Sequence, residues 1–290
     1  MSDLPAAFSK SGCEKMNEKL SEVFARAGFS DPEANAVLLG AARVRAEEKS
    51  FLESFGRDWG SAFTTSECFY VIVSRAVAEY EQSVAELSEL ERGMKINTYT
   101  ALYNIYRRAS QQFAEIMTLV KNGFSDGAFA RWRSMHELVV IASFVRKYGE
   151  PVAEKFIEAS DSEDRYDWAM ASGAFRETKR HVTFGDILKL TDMNDEVWKE
   201  NYTVANQTVH ASPQGTFGRL GEDSGGSGRS GYGIAAPAIQ SANTLALITS
   251  MLLSVFPEEK TVGDMARAAR WLDELTDAYY ATHERLYPEE

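Results

Sequence analysis

The sequence predicts an all-α fold, a bundle of about nine to ten helices without a substantial sheet. Apolar residues recur at the helical period of three to four in nearly every long segment. Few segments alternate apolar and polar residues with the period of two that is typical of strands. Residues that begin or end helices separate these segments, among them Gly28, the pair Asp31-Pro32 and the pair Asn122-Gly123.

Three helices are predicted in the first third of the chain. Gly28 ends the first, because glycine adopts the left-handed conformation that follows a helix C-terminus at little cost. Asp31 is the predicted N-cap of the second helix, and Pro32 is its first residue. A short break is predicted over residues 56–65, which begin with Gly56. The predicted helices cover residues 17–27, 31–55 and 66–93.

Seven further helices and one long loop are predicted after residue 94. Asn122-Gly123 closes the first of these helices, Ser125 is the predicted N-cap of the next, and Pro151 begins the third. Residues 215–233 are a predicted loop because eight of these 19 residues are glycine. The predicted helices cover residues 98–120, 125–148, 151–179, 186–190, 195–210, 237–256 and 261–287.

Composition excludes several classes of protein. The chain has 31 basic and 43 acidic residues, a net charge of −12, which argues against bulk binding of DNA or other nucleic acid. Cys13 and Cys68 are too few for a disulfide framework or a cysteine-rich zinc site. The longest mainly apolar run, Leu245–Phe256, is shorter than the roughly 20 residues that span a membrane. We therefore expect a cytoplasmic protein without metal, cofactor or membrane partner.

The chain is predicted to have two regions, a helical arm or cap over residues 1–94 and a helical domain over residues 95–290. Charge is uneven within the second region. Residues 97–147 contain seven basic and three acidic side chains, a net charge of +4 in an acidic protein. This segment leaves room for a small, local phosphate site.

The helix predicted over residues 125–148 contains the main candidate site. At about 100° per residue, Glu137 lies about 40° and His136 about 60° from Arg133, so the three share a face, whereas Arg131 lies about 140° from His136. Charged groups on a largely apolar helix are costly unless they are paired. One interpretation is a structural Arg133–Glu137 ion pair with His136 as a third member. The other is an anion site, with His136 as general acid or base.

Arg131 and His136 also resemble the Arg-x(4–6)-His motif of HEPN ribonucleases. That resemblance implies a homodimeric, metal-independent site at which the arginine and histidine meet on an RNA phosphate and promote attack by the 2′-hydroxyl. The sequence departs from the motif in two ways. Trp132 occupies the position of the polar residue after the arginine, and a regular helix separates Arg131 from His136.

The segment Ala130–Leu138, Ala-Arg-Trp-Arg-Ser-Met-His-Glu-Leu, is similar to the uncharacterised bacterial family called domain of unknown function 5677. A later segment, Val209–Ser212, also resembles that family. The resemblance extends over about residues 95–290 and implies an all-helical fold without a settled activity. A connection to HEPN-like toxins and phage-defence nucleases is an analogy at the level of the fold.

Other candidate residues surround the long loop. His210 either caps a helix C-terminus or acts as a second acid or base beside Arg133 and His136. In the second case Ser212 and Gln214 supply hydrogen bonds. The loop contains a G-x-G-x-x-G string without the preceding strand of a dinucleotide site. The loop is therefore either solvated or a lid, from which Arg219 or Arg229 reaches a phosphate.

Three functions follow from these residues. The leading hypothesis is a metal-independent endoribonuclease or toxin-type phage-defence effector that acts on RNA as a homodimer. In it His136 is the acid or base, with His210 assisting; Arg131 and Arg133 bind the phosphate, and Glu137 orients Arg133. The alternatives are a non-catalytic helical interaction or sensor module with a structural Arg–Glu pair, and a small-anion binder that uses the same arginines.

Overall fold

The computed structural model describes residues 19–163, 165–175, 181–193, 196–210, 213–218 and 228–288. Among these residues none lies in a β-strand, and the great majority are helical, which confirms the all-α prediction. The chain divides into two compact units, residues 1–54 and 55–290. The predicted division into residues 1–94 and 95–290 stays a prediction. Cys13 and residues 219–227 of the predicted glycine-rich loop lie outside the described residues.

The first unit contains a helix over residues 19–26, α1, and the beginning of α2 (Asp31–Glu86). Gly28 follows α1 with φ of 81°, and its N–H donates to the Ala25 carbonyl at 3.1 Å, which confirms Gly28 as the residue that ends the helix. Ser30, and not Asp31, precedes α2. Its N–H and hydroxyl both donate to the Glu33 carboxylate, at 2.8 and 2.7 Å.

Helix α2 is continuous over 56 residues, so the predicted break at residues 56–65 is wrong. Phe55, Trp59 and Phe63 are buried on one face across this stretch, at 4%, 1% and 8% exposure. Burying one large apolar side chain contributes about 1.5–3 kcal/mol. A glycine inside a helix costs only about 1 kcal/mol. The burial of these aromatic rings therefore outweighs the two glycines at positions 56 and 60.

The next helices are α3 (Glu89–Gly93), α4 (Ile96–Lys121), α5 (Ser125–Tyr148) and α6 (Glu150–Glu158). Helix α5 has the predicted bounds, but Ser125 is its first helical residue and not its cap. The helix predicted over residues 151–179 ends at Glu158 and is followed by two short 3-10 turns, Ala159–Asp161 and Asp167–Ser172. The chain turns there because Trp168 packs back edge-on against Phe156, with ring centres 4.9 Å apart.

Four of the remaining five helices lie close to their predicted bounds. The fifth, a short helix that overlaps the start of the predicted loop, was not predicted. The five helices are α7 (Phe184–Leu188), α8 (Glu196–Val209), the unpredicted α9 (Pro213–Phe217), α10 (Ala235–Leu253) and α11 (Glu259–Leu286). The core is formed by α4, α5 and α10, each of which packs against the other two. Helix α8 packs on α5, and α11 packs on α10.

Helix α10 is long and apolar enough to cross a membrane by length and composition, and it is the one such helix in the described part of the chain. Its residues are mostly buried inside the bundle, among them Ala242, Leu245 and Ile248 at 0% exposure. Residues 245–253 of the predicted apolar run thus lie in a central helix that contacts α4, α5 and α11, and the last three residues of the run follow its end.

Candidate functional site

Helix α5 directs its two candidate arginines to different neighbours. Arg131 forms an ion pair with Glu115 of α4. Arg133 instead lies beside α8, where its Nε donates to the side-chain oxygen of Asn206. Residues two positions apart in a helix, such as these, point in directions about 200° apart around its axis. The structure therefore does not bring Arg131 and Arg133 together on one site.

Arg133 belongs to a cluster that we call the Glu137 cluster; it consists of Arg133, Glu137, Arg165, Tyr202 and Asn206. Arg133 Nη2 lies 3.2 Å from Glu137 Oε1, and Arg165 Nη2 lies 3.9 Å from Glu137 Oε2. The Tyr202 hydroxyl donates to Glu137 Oε1 at 3.2 Å. The cluster joins α5, α8 and the segment before the second 3-10 turn. The predicted Arg133–Glu137 pair is thus present, and Glu137 is the residue that the other side chains of the cluster surround.

Partial burial and charge define the electrostatics of the Glu137 cluster. The side chain of Glu137 is 18% exposed and that of Arg133 is 29% exposed. The Arg133 guanidinium also lies over the Tyr202 ring, 5.6 Å from its centre. Burial first, and then the nearby Glu137 carboxylate, raises the pKa of Tyr202. The phenol therefore keeps the proton that it donates to Glu137.

His136 lies inside the protein, at 1% exposure. Its ring is surrounded by aromatic rings, with centre-to-centre distances of 5.4 Å to Trp132, 5.2 Å to Trp198 and 5.0 Å to Tyr202. A general acid or base must come within hydrogen-bond distance of the substrate. In this arrangement the aromatic side chains of α5 and α8 separate His136 from any dissolved substrate.

Trp132 connects this aromatic group to the core. Its Nε1 donates to Thr244 Oγ1 of α10 at 3.0 Å, and its ring stacks on Trp198 of α8 at 6.1 Å. Trp132 is fully buried, at 0% exposure. The residue that departs from the HEPN motif therefore occupies a core position that joins α5, α8 and α10.

His210 does not join His136. It lies exposed immediately after α8, and its N–H donates to the Asn206 carbonyl at 3.3 Å. Tyr202 contacts His136 and precedes His210 by eight residues, or about 12 Å of helix axis. The position of His210 agrees with the helix C-terminus predicted in the simpler interpretation.

The remaining predicted site residues lie elsewhere or outside the described part of the chain. Ser212 and Arg219 lie outside the described residues, as does the side chain of Gln214. The Arg229 guanidinium lies over the Phe124 ring, 4.7 Å from its centre, at the turn between α4 and α5. Arg229 is therefore placed at the beginning of α5, more than two turns before the Glu137 cluster.

Two acidic residues, one at the end of α6 and one after it, have partners within the protein. Asp167 accepts from the Val182 N–H at 3.0 Å and contacts His181 Nδ1 at 3.1 Å, and these contacts, in that order, lower the pKa of Asp167. Glu158 pairs with Lys155. In the described ranges, no group of three or more histidine, cysteine, aspartate or glutamate side chains could hold a metal ion.

Three residues of α8 were not among the predicted site residues: Tyr202 and Asn206 of the Glu137 cluster, and Trp198, which stacks on His136. Trp198, Tyr202 and Asn206 follow one another at four-residue spacing, which places them along one face of a helix. The Trp198 ring stacks on that of His136, with ring centres 5.2 Å apart. The four-residue spacing was available as a signal, but the sequence does not indicate which helix that face contacts.

Residues 99–179 match the model of a family of unknown function, DUF5677. The match confirms the resemblance found at Ala130–Leu138, over a range shorter than the expected residues 95–290. It includes all of α5 together with Arg165, whereas Val209–Ser212 and the whole of α8 lie outside it. No curated protein and no solved structure matches the chain.

Proposed function

We propose that the chain is a non-catalytic helical interaction or sensor module, in which the Glu137 cluster holds α8 against α5. The observation that carries this proposal is the burial of His136, at 1% exposure among three aromatic rings. A histidine in that position contributes packing between two helices. It is not presented to a substrate.

The hydrogen bonds of the Glu137 cluster support the same conclusion. Arg133 and Glu137 pair with each other, and each also bonds to a side chain of α8, Asn206 or Tyr202. Hydrogen bonds to charged groups contribute about 1.5–3 kcal/mol each, and this range is reduced here because the side chains are partly exposed. Removing one charge would leave its partner partly buried without a counter-ion. The pair therefore has a structural use that requires no ligand.

The ribonuclease hypothesis stays a prediction, as do the toxin, phage-defence, RNA, homodimer and cytoplasmic predictions. It requires Arg131 and His136 on one phosphate. Arg131 pairs with Glu115 of α4, whereas His136 packs against α8. A catalytic His136 would therefore need α8 to move away, or a second subunit to rearrange α5.

Hydrogen–deuterium exchange tests the holding role directly. We expect Glu137→Gln to accelerate amide exchange throughout α8, because the variant removes the charge that joins Arg133 and Arg165. Arg131→Gln is the matched control, since it breaks an ion pair of the same helix with α4 instead. Unchanged exchange of α8 in Glu137→Gln would overturn the holding role.

Incubation with RNA tests the non-catalytic part of the proposal. The purified 290-residue protein and its His136→Phe variant are incubated with total RNA in the presence of EDTA. We expect no cleavage by the wild-type protein above a buffer control. RNA cleavage by the wild-type protein that is lost in a His136→Phe variant with native circular dichroism would overturn this proposal and favour the ribonuclease.

Titration with inorganic phosphate distinguishes the structural pair from the third hypothesis, a small-anion binder. Arg133 and Arg165 face one carboxylate, and the Arg165 side chain is 76% exposed, so one cationic charge is in excess at the edge of the cluster. A structural pair predicts no measurable phosphate binding by calorimetry. Saturable binding that is lost in Arg165→Gln would identify an anion binder instead.

A further inference from the structure

Helix α8 covers an aromatic face of α5, although little apolar burial holds it there. Among the α8 side chains that the structure describes, only Ala205 is fully buried, at 0% exposure, whereas Trp198 and Tyr202 are half-buried. Helix α8 packs mainly on α5 and α9, whereas α10 packs on three long helices. Segments with few buried apolar contacts open locally at a lower free energy than the core does. We therefore expect α8 to separate from α5 more readily than the core helices separate from one another.

The face of α5 beneath α8 consists of rings that need a cover. Trp132 and His136 are 0% and 1% exposed, and the Trp198 ring stacks on both, at centre-to-centre distances of 6.1 and 5.2 Å. When α8 separates, its aromatic side chains leave and these buried rings become exposed to water. Contiguous exposed apolar surface is typical of protein interaction sites. A second helix that replaces α8 restores the burial of both rings.

The contacts of α8 define the helix that this face accepts. Trp198, Tyr202 and Asn206 are spaced four residues apart, so they lie along one side of α8. The first stacks on rings of α5, the second donates its hydroxyl to Glu137 at 3.2 Å, and the third accepts from Arg133. An amphipathic helix that binds in a groove presents such a row of side chains to it. The complementary helix therefore has two aromatic residues four positions apart and a side-chain amide four positions later.

We propose that α8 is an internal occupant of an interaction surface on α5, and that a helix of a partner protein with this pattern of two aromatic residues and an amide displaces it. The proposal rests on the function proposed above and names the surface and the partner of that interaction module. The partner helix replaces α8 on Trp132, His136 and Glu137. Helix α8 inhibits binding by competition, because the apparent Kd of the partner rises as the fraction of open protein falls.

Binding of an α8 peptide in trans tests the proposal. The probe is a fluorescein-labelled synthetic peptide with the sequence of residues 196–210, and fluorescence anisotropy measures its binding to the 290-residue protein. We call the protein with Trp198→Ala, Tyr202→Ala and Asn206→Ala the α8 variant. We expect the α8 variant to bind the peptide about tenfold more tightly than the wild type or better, because its own α8 no longer competes.

A matched control has three alanines at the same spacing on the exposed side of α8. It carries Lys199→Ala, Thr203→Ala and Gln207→Ala, and we expect it to bind the peptide like the wild type. Tyr202→Phe is a milder test that does not depend on the folding of the α8 variant. It retains the ring and removes only the hydroxyl that donates to Glu137, so we expect peptide binding about threefold tighter than in the wild type.

Further changes locate the peptide on α5. In the α8 variant, Glu137→Gln removes the charge of the carboxylate that accepts from Tyr202 of the peptide, and we expect it to weaken binding about fivefold. Arg131→Gln in the same variant is the matched control, because Arg131 pairs with Glu115 of α4. A peptide with alanine in place of both aromatic residues should show no saturable binding.

Four results would overturn the proposal. The first three are no saturable binding of the peptide by the folded α8 variant, equal affinity of the wild type and the α8 variant, and equal affinity for the peptide and its double-alanine form. The fourth is a wild-type protein that sediments as a dimer and an α8 variant that sediments as a monomer, which would assign the surface to a second copy of the chain.

The outcome of the peptide titration is distinguishable from that of the hydrogen–deuterium exchange experiment. The holding role of the Glu137 cluster fails if Glu137→Gln leaves amide exchange in α8 unchanged. The present proposal fails, with the holding role intact, if that exchange accelerates and the α8 variant nevertheless does not bind the peptide.

Discussion

Replacing His136 by alanine is expected to destabilise the protein strongly. The ring is 1% exposed and contacts Trp132, Trp198 and Tyr202 at 5.0–5.4 Å. Truncating a buried Phe or Trp to alanine costs about 3–5 kcal/mol, because both the apolar contacts and the filled volume are lost. The imidazole ring is smaller and partly polar, so we expect a loss of about 2–4 kcal/mol in the free energy of unfolding. In a domain of this size that loss lowers Tm by roughly 4–16 °C.

Two further variants separate packing from chemistry. His136→Phe retains an aromatic ring but enlarges it, and adding volume to a packed core usually costs about 1–3 kcal/mol. His210→Ala is the matched control, because His210 is exposed after α8 and surface substitutions usually change stability by less than about 0.5 kcal/mol. The two histidines that sequence reasoning placed in one catalytic site are thus expected to differ in their effect on stability.

Urea-induced unfolding followed by tryptophan fluorescence measures these changes, since Trp132 and Trp198 flank the substituted ring. The midpoint should fall in the order wild type, His136→Phe, His136→Ala, with His210→Ala close to the wild type. An unfolding free energy for His136→Ala within about 0.5 kcal/mol of the wild type would refute the reasoning, because a ring buried among three others cannot be removed at so small a cost.

Three other predictions concern the core, the pH dependence and the backbone. Trp132→Phe removes the indole N–H that donates to the Thr244 hydroxyl, and we expect it to lower the free energy of unfolding by about 1–3 kcal/mol. In a double-mutant cycle, Trp132→Phe should cost less in a Thr244→Val background, because the hydroxyl that would lose its donor is already absent. Burial raises the pKa of Tyr80 to about 12. The unfolded chain ionises this phenol from about pH 10 whereas the folded chain does not, so the stability present below pH 10 is lost as the pH rises towards 12. Between pH 8 and pH 11 the urea midpoint should therefore fall less in Tyr80→Phe than in the wild-type protein. Gly149→Ala should lower the free energy of unfolding by about 1–3 kcal/mol, because Gly149 has φ 70° and ψ −149°, a backbone conformation that alanine rarely adopts. Gly56→Ala should raise it by up to about 1 kcal/mol, because Gly56 is exposed within the continuous α2 and has free space around it. A lower free energy of unfolding in Gly56→Ala would contradict the continuous helix.

Local sequence signals were sufficient for most helices and insufficient where burial decided the outcome. Helix α5 has its predicted bounds because an apolar run, a preceding Asn122-Gly123 and a following Gly149 act within one turn of its ends. At Gly56 and Gly60 the local signal favours a break. The aromatic residues around them are buried by contacts with distant parts of the chain, such as that of Trp59 with Tyr279. Helix propensity is a local property of each residue and does not include those contacts.

The same distinction applies to the candidate site. The helical period alone places Arg133, His136 and Glu137 on one face and Arg131 on another, and the structure agrees, with Arg131 directed to α4 and the other three to α8. The period does not say what covers a face.

What the sequence by itself determined is therefore the all-helical fold, the bounds of α5 and the common face of its charged residues, because these depend on neighbours within one or two turns. Only the tertiary structure decided that His136 is enclosed by Trp198 and Tyr202 and that His210 lies apart from it. These contacts join residues more than 60 positions apart in the chain. Their free energy comes from burial against another helix, which no local pattern of residues specifies.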